Sequence, residues 1–126
     1  VAYGLRYGEP SSAAVLLIGE TGVLTGVRQD SAFRTNVGIY NLTDKDCVVE
    51  LEARNDEGQR VGSQLVLTVP PIRYVQKSLG DLTGNNLPSG SVRLVNTTTG
   101  CAVGGIAYVI DNATQDPFAV SQRKRP

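Results

Sequence analysis

The sequence contains no histidine, no methionine and no tryptophan, and it has only two cysteines, Cys47 and Cys101. Without histidine, Ser-His-Asp and Cys-His nucleophilic machinery is excluded, as is the commonest zinc and copper ligand. Two cysteines alone do not make a zinc site. Net charge is missing as well, because twelve basic and twelve acidic residues cancel. That removes the electrostatic footprint of a nucleic-acid binder, whose affinity comes largely from neutralising phosphate. Long hydrophobic runs are also lacking. AAVLLIG and CAVGGIAYVI stop far short of the roughly 20 apolar residues of a membrane helix. What remains is a chain of 126 residues, the size of one domain with one core. A chain that starts at Val1 without any methionine is expected to be a processed precursor or a piece of a longer polypeptide.

From residue 33 onward the pattern is strand, turn, strand. FRTNVGIYNL is rich in β-branched and aromatic residues and runs into the turn-former cluster TDKD. CVVELEAR places Cys47, Val49, Leu51 and Ala53 on one face and Glu50, Glu52 and Arg54 on the other, the alternation of a half-buried antiparallel strand. NDEGQ reads as a tight hairpin turn with Gly58 available for positive φ. RVGSQLVLTV follows, with Leu65, Leu67 and Val69 inward, and Pro70 and Pro71 end it. IRYVQKSL reads as a further strand and GDLTGNNLPSG as a long polar loop. SVRLVNTTT, with Val92 and Leu94 inward, leads to CAVGGIAYVID, where Gly104 and Gly105 indicate a bulge or a close backbone approach. NATQDP is a turn, PFAVS a short edge strand and QRKRP a basic tail. Before residue 33, AAVLLI and GVLTGVR read as two short strands. No segment holds helix periodicity beyond one turn. The expectation is an all-β antiparallel sandwich of about seven to nine short strands. Residues 1–12 form an extended N-terminal arm, 13–121 the sandwich domain and 122–126 the basic tail.

FRTNVGIYNLT, the LVLTVPP strand end and the closing AYVIDNATQDP resemble immunoglobulin- or fibronectin-like sandwich modules of large secreted bacterial proteins. The resemblance covers roughly residues 23–118. It implies a role in adhesion, spacing or assembly, often in tandem or attached to exported enzymes.

Cys47 and Cys101 each begin a strand after a polar turn. They are read as a disulfide, which would stabilise by about 4 kcal/mol through loop-closure entropy and implies an oxidising compartment. The other reading is a pair of reduced core cysteines. Asn41, Asn96 and Asn112 head Asn-x-Thr triplets, which are candidate glycosylation sites or simply favoured turn sequences. DLTGNN and DNATQD gather oxygen ligands that calcium uses, yet neither has the spacing of a calcium loop, and turn chemistry explains both. No cofactor or metal is expected. Glu50 and Glu52 lie about 7 Å apart by strand geometry but face solvent, so they read as a solubilising face. Tyr3, Tyr7, Tyr40, Tyr74 and Tyr108 are candidates for a sugar-stacking platform. With tryptophan absent and the last three inside strands, core or sheet-face packing is expected for most of them instead. Arg123, Lys124 and Arg125 read as a solvated charge cluster.

The arm VAYGLRYGEP, with Tyr3, Leu5, Arg6 and Tyr7, lacks an obvious hairpin partner. An extended segment of this kind either pairs within its own domain or adds as a strand to a neighbour's open edge. The second case would make a head-to-tail array. The expectation is therefore a non-enzymatic extracellular or cell-surface structural module, acting by self-association or domain spacing. Its partners would be other copies or neighbouring domains of a larger secreted protein. The alternative is an accessory module binding carbohydrate or protein beside an exported enzyme. An exposed groove with two surface tyrosines favours binding, and an arm docked in another copy favours assembly.

Overall fold

The computed structural model describes residues 15–125. The arm residues Tyr3, Leu5, Arg6 and Tyr7 lie outside them. Nine strands follow one another: β1 (Thr21–Gln29), β2 (Phe33–Asn41), β3 (Cys47–Asn55), β4 (Arg60–Val69), β5 (Tyr74–Ser78), β6 (Leu87–Asn96), β7 (Val103–Asp111), β8 (Pro117–Ser121) and β9 (Arg123–Lys124). They form a five-stranded sheet in the order β4-β3-β6-β1-β9 and a four-stranded sheet in the order β5-β2-β7-β8. Every named pairing is antiparallel. The protein is an all-β sandwich.

The alternation read from CVVELEAR is realised in β3, where Cys47, Val49, Leu51 and Ala53 are buried and the residues between them are half-exposed. β6 and β1 add Val92, Leu94, Leu24 and Val27 to the same inner face, against Val37, Ile39, Ala107 and Val109 of the facing sheet. Each fully buried Val, Leu or Ile stabilises by roughly 1.5–3 kcal/mol relative to leaving it in water. β4 is an edge strand, so Leu65 and Leu67 are only half-buried although they point inward.

Three segments differ from the sequence reading. The polar loop after β5 contains one helical turn, α1 (Gly80–Thr83), whose Leu82 and Thr83 are buried. It seats on β4 at Gly62, which has φ +77 and contacts the Leu82 carbonyl. Of AAVLLI, the described residues 15–18 contribute an isolated bridge, Leu16 opposite Val103, and β8 takes the place beside β7 from Ile106 onward. The basic tail is partly built into the fold: Lys124 and Arg123 pair with Gly22 and Val23, and buried Gln122 accepts the Gly105 N–H at 2.9 Å through Oε1.

The loops at residues 42–46, 70–73 and 97–102 gather at one end of the sandwich, where the chain also passes Leu16. Cys47 and Cys101 are joined there in a disulfide with a Cα–Cα distance of 5.9 Å. Cys47 opens β3 of the five-stranded sheet and Cys101 lies two residues before β7 of the four-stranded sheet, so the bond ties one sheet to the segment that leads into the other.

Candidate functional site: the outer face of the four-stranded sheet

In β2 the buried residues Thr35, Val37, Ile39 and Asn41 alternate with Arg34, Asn36 and Tyr40, whose side chains belong to the outer face, where Gly38 is covered backbone. The pairing register extends that face across the sheet. Tyr40 lies opposite Gly104 of β7 on one side and opposite Tyr74 of β5 on the other. One step along, Gly38 lies between Ile106 and Gln76, and Asn36 lies between Tyr108 and Ser78. Between Asn36 and Tyr40 none of these outward residues is charged, and Arg34 is the charged residue at the far end of the strand.

Glycine makes the aromatic packing possible. The phenol end of Tyr40 occupies the space where a side chain at Gly104 would begin, and the phenol end of Tyr74 does the same over Gly38. Both rings therefore lie down across a neighbouring strand, with one face on backbone. Diagonal and directly opposed cross-strand partners are within reach of an aromatic ring. Gly104 and Gly105 thus mark a close approach. They do not mark a bulge, since the β2–β7 register runs without a shift from Phe33 to Asn41. Burial raises the Tyr40 hydroxyl above its ordinary pKa of 10.0. Tyr74 is raised by burial and then by the nearby Tyr108 phenol. Tyr74 nevertheless keeps 47% of its surface exposed.

Three exposed aliphatic residues lie in the segments at the disulfide end of this sheet. Leu42, 57% exposed, donates its N–H to the Ala102 carbonyl. Ile72, 69% exposed, donates its N–H to the Thr43 carbonyl. Leu17, 54% exposed, follows Leu16 on the far side of Val103. Ile72 has φ 52, a left-handed conformation that a β-branched residue rarely adopts. A positive φ after proline is what a type II turn requires, and glycine or asparagine is the usual occupant. Here Pro71 sets the turn and isoleucine fills it, at a cost of about 1–2 kcal/mol.

The five-stranded sheet presents a different surface. A shallow depression of about 160 Å³ there is lined by Glu50, Glu52, Gln64, Arg93 and Arg125 among others. Glu52 pairs with Arg54 at 2.6 Å, and Glu50 accepts from Gln64 at 2.9 Å. Partial desolvation and the neighbouring Arg125 and Arg54 charges lower the Arg93 pKa. The two glutamates sit on this outer face, as their alternation indicates, and are occupied by surface partners.

Two of the three Asn-x-Thr asparagines are interior. Asn41 is 2% exposed and donates through Nδ2 to the Lys45, Val69 and Pro70 carbonyls at 2.8, 3.0 and 3.1 Å. Asn96 is fully buried and donates to the Leu16 and Cys101 carbonyls at 3.0 and 2.9 Å. In each, Oδ1 accepts the N–H two residues on, from Thr43 and Thr98, closing an Asx turn. A sugar on either nitrogen would break these bonds and have no path to solvent. Both triplets close chain-reversing corners, in keeping with their reading as turn sequences. Asn112 is half-exposed, but its amide also donates, to the Ser31 carbonyl at 3.2 Å. The DNATQD carboxylate Asp111 accepts from the Ala113 and Thr114 N–H groups, again turn chemistry. Among the described residues, no three acidic or cysteine side chains converge as a metal site, and no helix is long and apolar enough to cross a membrane.

The outward tyrosines were assigned to packing from the sequence, and they do pack, but on the exposed face of a sheet. The signal that could have located them is the pair of strand glycines, Gly104 directly opposite Tyr40 and Gly38 diagonal to Tyr74. No protein-family profile matches the chain, and no curated protein is similar to it. Among solved structures, the fold is similar to the crystal structure of Thermotoga maritima 1070, with a TM-score of 0.63 and 9% identity over 85% of this chain and 92% of that one. At that identity the likeness concerns the sandwich fold alone.

Proposed function

We propose that this chain is a non-enzymatic structural module of the cell exterior, immunoglobulin- or fibronectin-like, that works by self-association or by spacing neighbouring domains. The observation that carries this reading is the outer face of the four-stranded sheet, which is uncharged from Asn36 to Tyr40 and across their paired neighbours and carries the half-exposed Tyr74. Exposed apolar surface of that extent on a sandwich is characteristic of an interaction site. The inter-sheet disulfide supports an oxidising, extracellular setting. Light scattering on the native protein tests the reading, repeated on a chain lacking residues 1–10. Particles larger than 13.4 kDa are expected for the full chain. Loss of assembly on truncation assigns a donor strand to the arm. Single copies in both cases refute self-association.

A second reading is an accessory module that binds carbohydrate or protein beside an exported enzyme. It draws on Tyr40 and Tyr74, whose rings lie flat on glycine and so resemble a stacking platform. The aliphatic neighbours Leu42 and Ile72 favour a protein surface over a sugar.

A further inference from the structure

We propose that residues 1–7 of one copy dock as an extended segment on the outer face of the β5-β2-β7-β8 sheet of the next copy, over Tyr40, Leu42, Ile72 and Tyr74. This contact deepens the self-association reading, on which it rests, by naming its two parts.

The size of the face selects a segment over a folded domain. β2 and β7 are nine residues long, but β5 and β8 have only five each. With each residue covering about 3.3 by 4.8 Å, the four strands present roughly 440 Å². That is well short of the roughly 800 Å² that each partner of a stable pair of domains contributes. Seven extended residues reach about 23 Å, enough to cross the face once.

The place where the remaining chain joins the sandwich selects which segment. Residues 1–14 precede the described part and join it at the rim of this sheet. There Leu16 and Val103 exchange both backbone hydrogen bonds, at 2.7 and 3.1 Å. The next hydrogen-bonding position of such an antiparallel ladder is two residues on, at Gly105. Its N–H is already held by Gln122 Oε1 at 2.9 Å, and β8 lies beside β7 from Ile106. The ladder next to β7 is therefore closed to a further strand from residues 1–14. Direction then separates the copies. Leu16 and Val103 are antiparallel, so the chain reaches Leu16 from the side of Gly105, away from Leu42 and Ile72 at the disulfide end. Covering its own Leu42 and Ile72 requires a chain reversal, and covering those of the next copy requires none.

The sequence of the segment fits the face. Val1, Tyr3, Leu5 and Tyr7 fall on one side of an extended chain, and Ala2, Gly4 and Arg6 on the other. The first side is apolar and aromatic throughout, and it meets the exposed Leu42, Ile72 and Tyr74. Arg6, the one charged side chain among the seven, then points to solvent. GEPSSAA, residues 8–14, is left as a tether spanning at most about 25 Å. Donor segment and acceptor face are different surfaces, so the contact is heterologous and copies add head to tail.

Analytical ultracentrifugation of the full chain over a concentration series tests this, with Leu5→Asp, Leu42→Asp and Val66→Asp as variants. The wild type is expected to grow in mass with concentration. Leu5→Asp, which spoils the donor, and Leu42→Asp, which spoils the acceptor, are each expected to raise the dissociation constant at least tenfold. Val66, exposed on β4 of the other sheet, is the control, and Val66→Asp is expected to assemble as wild type does. An equimolar mixture of Leu5→Asp and Leu42→Asp is the decisive sample. One variant still offers its face and the other its segment, so the mixture is expected to form pairs that neither forms alone. Recovery of pairs also shows that both variants are folded. Assembly that survives both substitutions, or a mixture that stays single while the wild type assembles, overturns the docking of residues 1–7 and leaves self-association standing. A wild type that stays single overturns both.

Discussion

Replacing Asn96 with alanine removes three hydrogen bonds at once, and the structure indicates how much each matters. The Leu16 carbonyl keeps a second donor, the Val103 N–H at 3.1 Å, so it is not orphaned. The Cys101 carbonyl loses its contact from Nδ2 at 2.9 Å in a fully buried setting. Thr98 N–H loses Oδ1 but is only part-buried and can turn to water. One buried polar group left unsatisfied costs about 1–3 kcal/mol, and the vacated amide volume adds a cavity penalty. The expected loss is about 3 kcal/mol. In urea, with a slope of about 1–3 kcal/mol per molar, that moves the midpoint by at least about 1 M. Asn96→Asp is expected to be worse at pH 7, because a carboxylate oxygen would face two carbonyl oxygens. Burial raises that aspartate's pKa, so its deficit is smallest below the unfolded value near 4 and grows as pH rises through the folded value. Asn112→Ala is the contrast, at less than about 1 kcal/mol for a half-exposed position. A loss below about 0.5 kcal/mol for Asn96→Ala, or a glycan on Asn96 in folded protein, would refute the buried-corner account.

Other outcomes follow from the same geometry. Reducing the Cys47–Cys101 bond, with a sequence separation of 54, is expected to cost about 4 kcal/mol by loop-closure entropy, read as the shift in denaturation midpoint between oxidised and reduced protein. Gly104→Ala places a methyl group into the Tyr40 ring. It is expected to cost about 1–3 kcal/mol and to change tyrosine fluorescence as the ring lifts off the strand. Asp30 is held below its ordinary pKa of 3.8, chiefly by the Phe33 N–H, against a desolvation effect and helped by Ala32 N–H and Arg28. A carboxylate lowered in this way stabilises the fold above its unfolded pKa, and the contribution disappears as pH falls through the folded value. Melting temperatures between pH 6 and pH 2 should therefore fall less in Asp30→Ala than in wild type.

How much of this was legible in the sequence depended on whether one face of a strand was polar. In β3, glutamates and an arginine alternate with Val49, Leu51 and Ala53, so the inner face could be read directly. In β2, Ile39 and Tyr40 are adjacent and both apolar, and alternation cannot say which one faces water. That is why the tyrosine face was missed while its residues were noticed. The cysteines could be paired from their positions after polar turns, but that the bond ties β3 to the segment leading into the opposite sheet requires strand order, which is long-range information. Asn41 and Asn96 carry the same triplet whether they bear sugar or close a turn, and only the three-dimensional position of Nδ2 distinguishes the two. α1 is a single turn, too short for periodicity to reveal, and it forms because Leu82 finds a seat on the Gly62 bulge. β9 is two residues long and is held by its partner β1 rather than by any pattern of its own.

The most direct test of the central claim, a stapled sandwich that acts through one sheet face, is a dilution series of the full chain followed by backbone amide NMR. The account predicts concentration-dependent shifts confined to the region of Gly38, Tyr40, Leu42, Ile72, Tyr74 and Gly104. Shifts centred instead on Glu50, Glu52 and Arg93, or spectra that do not change with concentration, would contradict it.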